Sequence, residues 1–209
     1  MRDSKEYTIL DGVTPVAVTS STDATPIVVT ATSHGFSNGD LVLIFGHTTN
    51  IAANGIFRVA NKTDNTFELT DRNTGADIAG TGGGVGSSGL VIPAPKIPLT
   101  QDFANAILSI ITSGTATSTL KIAGSAGDTN GDSPEFGATQ SAANNYSFLA
   151  AADLEDGTLT EGDTGVVVAG TDINKTYEVN TNAIKYLTVF PITWTQGVIT
   201  VKLLLTSNQ

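Results

Sequence analysis

Apolar and polar positions alternate in short runs along most of this chain. Near its end Ile199, Val201 and Leu203 alternate with Thr200 and Lys202, the period-two signature of a strand with one buried face. β-Branched runs of four to six residues recur at 26–30, 41–45, 55–59 and 66–69, and again at 119–122, 165–168, 175–179 and 187–190. Turn dipeptides separate them: Asp11-Gly12, Asn38-Gly39, Asn54-Gly55, Asn130-Gly131, Asp156-Gly157 and Gln196-Gly197. Short strands with turn signals every 8 to 12 residues or so predict a sandwich or a barrel. Helical spacing is rare. Phe103, Ala106, Ile107, Ile110 and Ile111 follow Thr100 at three- and four-residue steps, with Asp102 placed for a first turn. The run 107–111 reads equally as a buried strand, and a strand is the favoured reading. The pattern predicts an all-β protein.

Length and composition refine this. A chain of 209 residues holds one large or two small domains and buries a real core. Six glycines between positions 79 and 89, followed by Pro93, Pro95 and Pro98, mark a boundary. The expected organisation is an extended N-terminal arm over 1–19, a first module over 20–90, a proline-rich linker over 91–98 and a second module over 99–209. Charged residues make up only 14%, where about 25% is usual, and the net charge is −10. Five basic residues face nine acidic ones up to position 95, and five face eleven beyond it. Neither half has the basic patch that nucleic-acid binding requires, so no nucleic-acid partner is expected. No stretch of about 18 apolar residues is present to span a membrane, and the first residues lack the apolar core of a secretory signal. With no cysteine there is no disulfide, thiolate nucleophile or cysteine-ligated zinc. The polar surface is carried instead by 32 Thr and 22 Gly, together with Ser and Asn. A neutral polar exterior suits packing against other proteins, where each desolvated charge is costly.

Residues 29–44 read Val-Thr-Ala-Thr-Ser-His-Gly-Phe-Ser-Asn-Gly-Asp-Leu-Val-Leu-Ile, followed by Asn54-Gly55-Ile56-Phe57-Arg58-Val59 and Asn65-Thr66-Phe67-Glu68-Leu69. This line resembles a small β-barrel module frequent in tailed-phage virion proteins, often likened to the first catalytic cysteine half-domain of ubiquitin-activating enzymes. The resemblance covers about 60 residues and implies a fold, not that enzyme's activity, since the chain has no cysteine and no nucleotide motif. Gly162-Asp163-Thr164-Gly165-Val166, residues 177–182 and residues 194–201 resemble, more loosely, the β-sandwiches that coat or join phage virions. The implied architecture is a small β-barrel followed by a jelly-roll-like β-sandwich.

Each candidate for chemistry stands beside a structural reading. Ser33, His34 and Asp40 lie close enough in sequence for a nucleophile, base and orienting acid, but a turn histidine bonded to backbone is the favoured reading. His47 follows Gly46 at a strand end, and two histidines exclude a three-histidine zinc site within one chain. Asp128-Thr129-Asn130-Gly131-Asp132 opens like a calcium loop, yet Ser133 replaces the required glycine and Thr139 the closing glutamate. Asp153, Glu155, Asp156, Glu161 and Asp163 form an acidic run of the kind paired carboxylates need for glycoside hydrolysis. Their Asp-Gly and Glu-Gly contexts favour solvated turns. The segment 80–86 is glycine-rich but lacks the Gly-Lys-Ser/Thr ending of a phosphate loop. Trp194, Tyr177, Tyr186 and Phe190 are read as core and interface aromatics in preference to a sugar-binding face.

The expectation is therefore a non-enzymatic virion structural protein of a tailed bacteriophage. It has no catalytic, cofactor-binding or metal-ligating residues. Its expected place is a capsid cement or decoration protein that binds the major capsid protein or other virion subunits, as a homo-oligomer. The alternative is a tail, baseplate or fibre component, with glycan binding as an open option.

Overall fold

The structure is a computed structural model, and it describes residues 4–81, 89–100, 103–127 and 146–207. Among the described residues it is built from strands, with one 3-10 turn at Ile51–Ala53. In chain order the first strands are β1 (Ser4–Val13), β2 (Val16–Ala17), β3 (Ser20–Ser21), β4 (Val28–Thr30), β5 (Leu41–Phe45), β6 (Gly55–Ala60), β7 (Thr66–Asp71) and β8 (Leu90–Pro93). There follow β9 (Asn105–Ser125), β10 (Ser147–Phe148), β11 (Ala151–Asp153), β12 (Leu159–Thr160), β13 (Val166–Thr171), β14 (Asn174–Asn180) and β15 (Tyr186–Thr206). No helix among the described residues is long and apolar enough to cross a membrane. Two compact units result, one formed by residues 15–94 and the other by 1–14 with 95–209.

The first unit is a curled sheet in the order β2-β8-β5-β6-β7-β4-β3. Its two end strands are consecutive in the chain. Val18 N–H donates to Gly89 O on one side, and Thr19 N–H donates to Thr30 O on the other, both at 2.9 Å. Residues 16–21 thus hand the sheet from one edge to the other and close it as a small barrel, which removes its long free edges. Inside lie Ile27, Val29, Val42, Ile44, Phe67 and Leu69, all fully buried.

The second unit is organised by two strands of 21 residues each, β9 and β15, paired antiparallel from Asn105↔Thr206 to Ser125↔Tyr186. Along the first half of β9, Ala106, Leu108 and Ile110 are buried, and on β15 so are Ile199, Val201, Leu203 and Leu205. This half carries β1 on one flank and β14, β11 and β12 on the other. The second half of β9 carries β13 and β10. The ribbon folds back on itself, and its pairing requires this. Phe148 pairs with Ala123, while Ala152 pairs with Glu178, whose own partner on β9 is Ile107. Ala123 and Ile107 are sixteen residues apart on one strand, about 50 Å if it ran straight. Four residues of chain reach at most about 14 Å, and each strand-to-strand step adds about 5 Å. The two halves of one ribbon therefore face each other as the layers of a sandwich.

The fold-back has a local cause. Register shifts at Pro191/Thr193 and Trp194/Gln196 each leave an extra residue on β15, and the shift at Gln196/Val198 leaves extra residues on β9 opposite Gly197; such bulges bend and twist a strand. Gly197 adopts φ +94°, and a Cβ built on it would lie 2.5 Å from the Cα of Ala116. The Trp194 indole N–H, buried beside it, donates to the carbonyls of Gln196 and Gly197 at 3.1 and 3.2 Å.

The structure departs from the expected boundaries. Residues 4–13 are extended, but they do not form a free arm. Ile9, Leu10 and Val13 are buried, and β1 pairs along β15 from Ser4↔Thr206 to Val13↔Ile199. The apolar residues of this segment need a sheet to cover them, and the chain supplies its own. The expected linker over 91–98 is divided between the units. Val91 and Ile92 are fully buried in β8, while Lys96 N–H donates to Ile9 O and Pro98 O accepts from Leu187 N–H. Proline fixes φ without preventing an extended segment from lying against a sheet edge. Over 107–111 the strand reading holds, inside β9.

Replacing Gly197 by alanine is expected to lower stability by about 3 kcal/mol or more, since it adds left-handed strain to a backbone overlap. Chemical denaturation checks this.

Candidate functional site

The barrel motif is used for architecture. His34 is almost fully buried, and both ring nitrogens are engaged: Phe36 N–H donates to Nδ1 at 3.0 Å, and Nε2 bonds Thr63 O at 3.0 Å. These bonds set the tautomer, with the proton on Nε2. The ring packs on Phe67 and Phe36, with centroids 5.0 and 5.4 Å away. Ser33 donates its N–H to Asn65 Oδ1, and Asp40 Oδ2 accepts from Ser37 N–H. The three candidates for a nucleophilic site thus serve three separate local bonds, and no imidazole nitrogen is left to act as base. Asn38 Oδ1 accepts from Lys62 N–H, and Asn54 bridges both backbone groups of His47. A polar hollow of about 300 Å³ opens beside His34, lined by Ser33, Ser37, Lys62, Thr63 and Asp64 among others.

His47 differs from His34. It is 4% exposed, and neither ring nitrogen has a partner among the described residues. Its ring lies against Gly89, where a Cβ would come within 3.0 Å of Nε2. Gly89 lies just before β8, which pairs with β5, so the imidazole sits at the end of that strand pair. Burial alone pushes its pKa below the ordinary 6.5, and the neutral ring is the folded form.

The second unit holds a feature that sequence reading missed, a lysine in the interior. Lys121 is completely buried on β9. Its ammonium donates to Gly162 O at 3.0 Å and to Asp163 O, and it lies 4.7 Å from the centre of the Phe148 ring. The segment 162–165 is the loop that supplies these carbonyls. Gly162 and Gly165 have no room for a side chain: a Cβ would lie 2.6 Å from the Phe148 carbonyl and 2.7 Å from Leu120 O. The ammonium thus fills the place a cation would take in a carbonyl-lined loop. Burial lowers the Lys121 pKa, and the Asp163 charge opposes that shift. A lone lysine between Leu120 and Ile122 in a strand gave only the signal that its alternation partners are apolar.

The acidic run is partly structural. Asp153 is buried, takes the Glu155 N–H at 2.9 Å and pairs with Lys175 at 3.0 Å. Lys175 also reaches Glu155 at 3.3 Å. The Glu155 N–H bond, then Lys175, hold the Asp153 carboxyl below the usual range, and bonds from Thr158 do the same for Asp156. A general acid for glycoside hydrolysis needs the opposite shift. Burial pushes the Tyr177 phenol up, with Asp153 adding to it. Trp194, Tyr177 and Phe190 are at most 5% exposed, so they present no sugar-stacking platform. The calcium-like segment 128–132 and most of the glycine run 80–86 lie outside the described residues. Among the described residues no cluster of three or more acidic or histidine side chains is placed to hold a metal.

No protein-family model matches this chain, and no curated protein does. Two solved structures are similar to it and come from phage-derived proteins. The SPBc2 prophage-derived protein YomS aligns over 99% of this chain and 96% of its own, at 11% identity and a TM-score of 0.42. The PBSX exported protein XepA aligns over 99% and 82%, at 10% identity and a TM-score of 0.37.

Two outcomes follow from the buried bases. The unfolded chain protonates His47 near 6.5 and the folded chain does so only at lower pH, so this contribution is present above 6.5 and lost as pH falls below it. Melting followed from pH 7 to 5 is expected to show falling stability, with a smaller fall in His47→Leu. The carboxylates Asp71, Asp153 and Asp156 act lower, because their stabilisation is lost only below the ordinary 3.8. Lys121→Met keeps the aliphatic stem and strips two carbonyls of their donor. Its expected cost is about 2–3 kcal/mol by chemical denaturation, with lost amide protection in the 162–165 loop.

Proposed function

We propose that this chain is a non-enzymatic structural protein of a tailed-phage particle, acting as a capsid cement or decoration protein that binds and stabilises the head lattice. The observation that carries the reading is the use of the chemistry-bearing groups. His34, Asp153 and Lys121 in the interior and Asp40 at the surface are all tied to backbone, and each bond holds a turn or loop. The residues that resemble phage modules are the ones that build these turns. What is left for the exterior is a polar, sparsely charged surface rich in threonine, suited to adhesion between subunits. Its partners in this reading are the major capsid protein or other virion subunits, with several copies acting together so that modest contacts add through multivalency.

The alternative place is the tail, baseplate or fibre, where the first module's resemblance is equally at home. Immunolabelled electron microscopy of intact particles separates the two. On the order of hundreds of copies on the head are expected for a lattice cement. Label confined to the tail moves the protein there, and no label on purified particles overturns the structural role.

A further inference from the structure

Sheet edges present unpaired N–H and C=O groups, and folded proteins guard them with charge, proline, bulges or shortness. In the second unit β1 carries Lys5, Glu6 and Asp11, and Lys96 N–H occupies its Ile9 carbonyl. Strands β10 and β12 have two residues each. The stretch of β15 beyond β1 carries Pro191 and three register shifts. The barrel closes through its two-residue strands β2 and β3. Strand β13 has none of these guards. It reads Val-Val-Val-Ala-Gly-Thr over six residues, with no charge and no proline, and it pairs only with β9 among the described residues. Val166 and Val168 point into the core, while Val167, 62% exposed, and Ala169 face outward.

We propose that β13 is the self-association edge of this protein, pairing antiparallel with β13 of a second copy across a two-fold axis. The occupant follows from charge and symmetry. Two chains of net charge −10 repel each other, and an isologous contact sets each residue against its own kind, so an uncharged strand is the one that tolerates it. The nearest charges, Asp163 and Asp172, flank the strand. A continuous pleat aligns residues of one face only with residues of the same face, so the paired numbers must have an even sum. Asp163 lies in the turn before the strand and Asp172 follows it at φ +51°, so both stand outside the paired ladder. The exposed Val167 and Ala169 of both copies then form one apolar row across the joint. The contact deepens the multi-copy reading above and rests on it only for its use in a particle, because it is tested on the isolated chain.

Sedimentation velocity over a concentration series is the test, on the full chain, on Val167→Lys and on Leu204→Lys as an exposed apolar control on β15. The expected result is a concentration-dependent dimer, weakened at least about tenfold by Val167→Lys at unchanged melting temperature and unaffected by Leu204→Lys. The amides of 166–171 that point away from β9 should gain hydrogen-exchange protection as the dimer forms. A chain monomeric at every concentration overturns the proposal, and so does a dimer that Val167→Lys leaves intact, or outward-pointing amides already protected in the monomer by a segment other than β9. Absence from phage heads would not touch it.

Discussion

The second unit depends on one close approach. Gly197 lies against the backbone of Ala116, at the point where β9 carries extra residues opposite β15. A side chain there would overlap the neighbouring strand, so the fold-back requires glycine. Because the ribbon turns there, one pair of 21-residue strands supplies both layers of a sandwich. Both layers then add strands to the same ribbon. Trp194 steadies the turn by donating to two carbonyls that the bulge takes out of the ladder. A buried indole that meets its hydrogen-bonding need in this way carries a large apolar surface into the core without leaving a polar group unpaired.

Several polar groups inside the two units are aimed at backbone groups in loops and strand ends. His34 bonds a donor and an acceptor in two different loops, and Asn54 closes the loop after β5 in the same manner. Lys121 is the extreme case, an ammonium taken fully out of water to hold the carbonyls of a tight glycine-containing loop. The desolvation of the charge offsets part of what its bonds return, but removing the ammonium alone leaves two carbonyls without their donor. His47 stands apart, a buried ring with neither nitrogen bonded among the described residues, and it is a point at which mild acid acts on the barrel. These uses also bear on function. His34, Asp40 and Asp153, which looked chemical in the sequence, are occupied in building the fold.

Much of the architecture was legible in the chain. Alternation at Ile199, Val201 and Leu203 set the strand and its buried face, and Asn38-Gly39 and Asp156-Gly157 located turns, whereas Asp11-Gly12 falls inside β1. The His34 reading was legible too, because a histidine followed by Gly-Phe at a turn has backbone groups in reach. The Pro and Gly content near position 90 marked the region where the chain passes between units but misplaced the crossing. Composition reports local stiffness, and it does not reveal that Val91 and Ile92 complete a barrel.

What the sequence determined by itself is the class of fold, the period of its strands and the turn residues between them, all of which depend on neighbours a few positions apart. What the tertiary structure alone decided is long-range. It paired β1, from the start of the chain, with β15 at its end. It folded the ribbon at Gly197, placed Lys121 beneath a loop some forty residues later, and left β13 uncovered among the described residues. Alternation tells which face of a strand is apolar, but it carries no label for the partner. That choice is made only when every strand must bury its face at once.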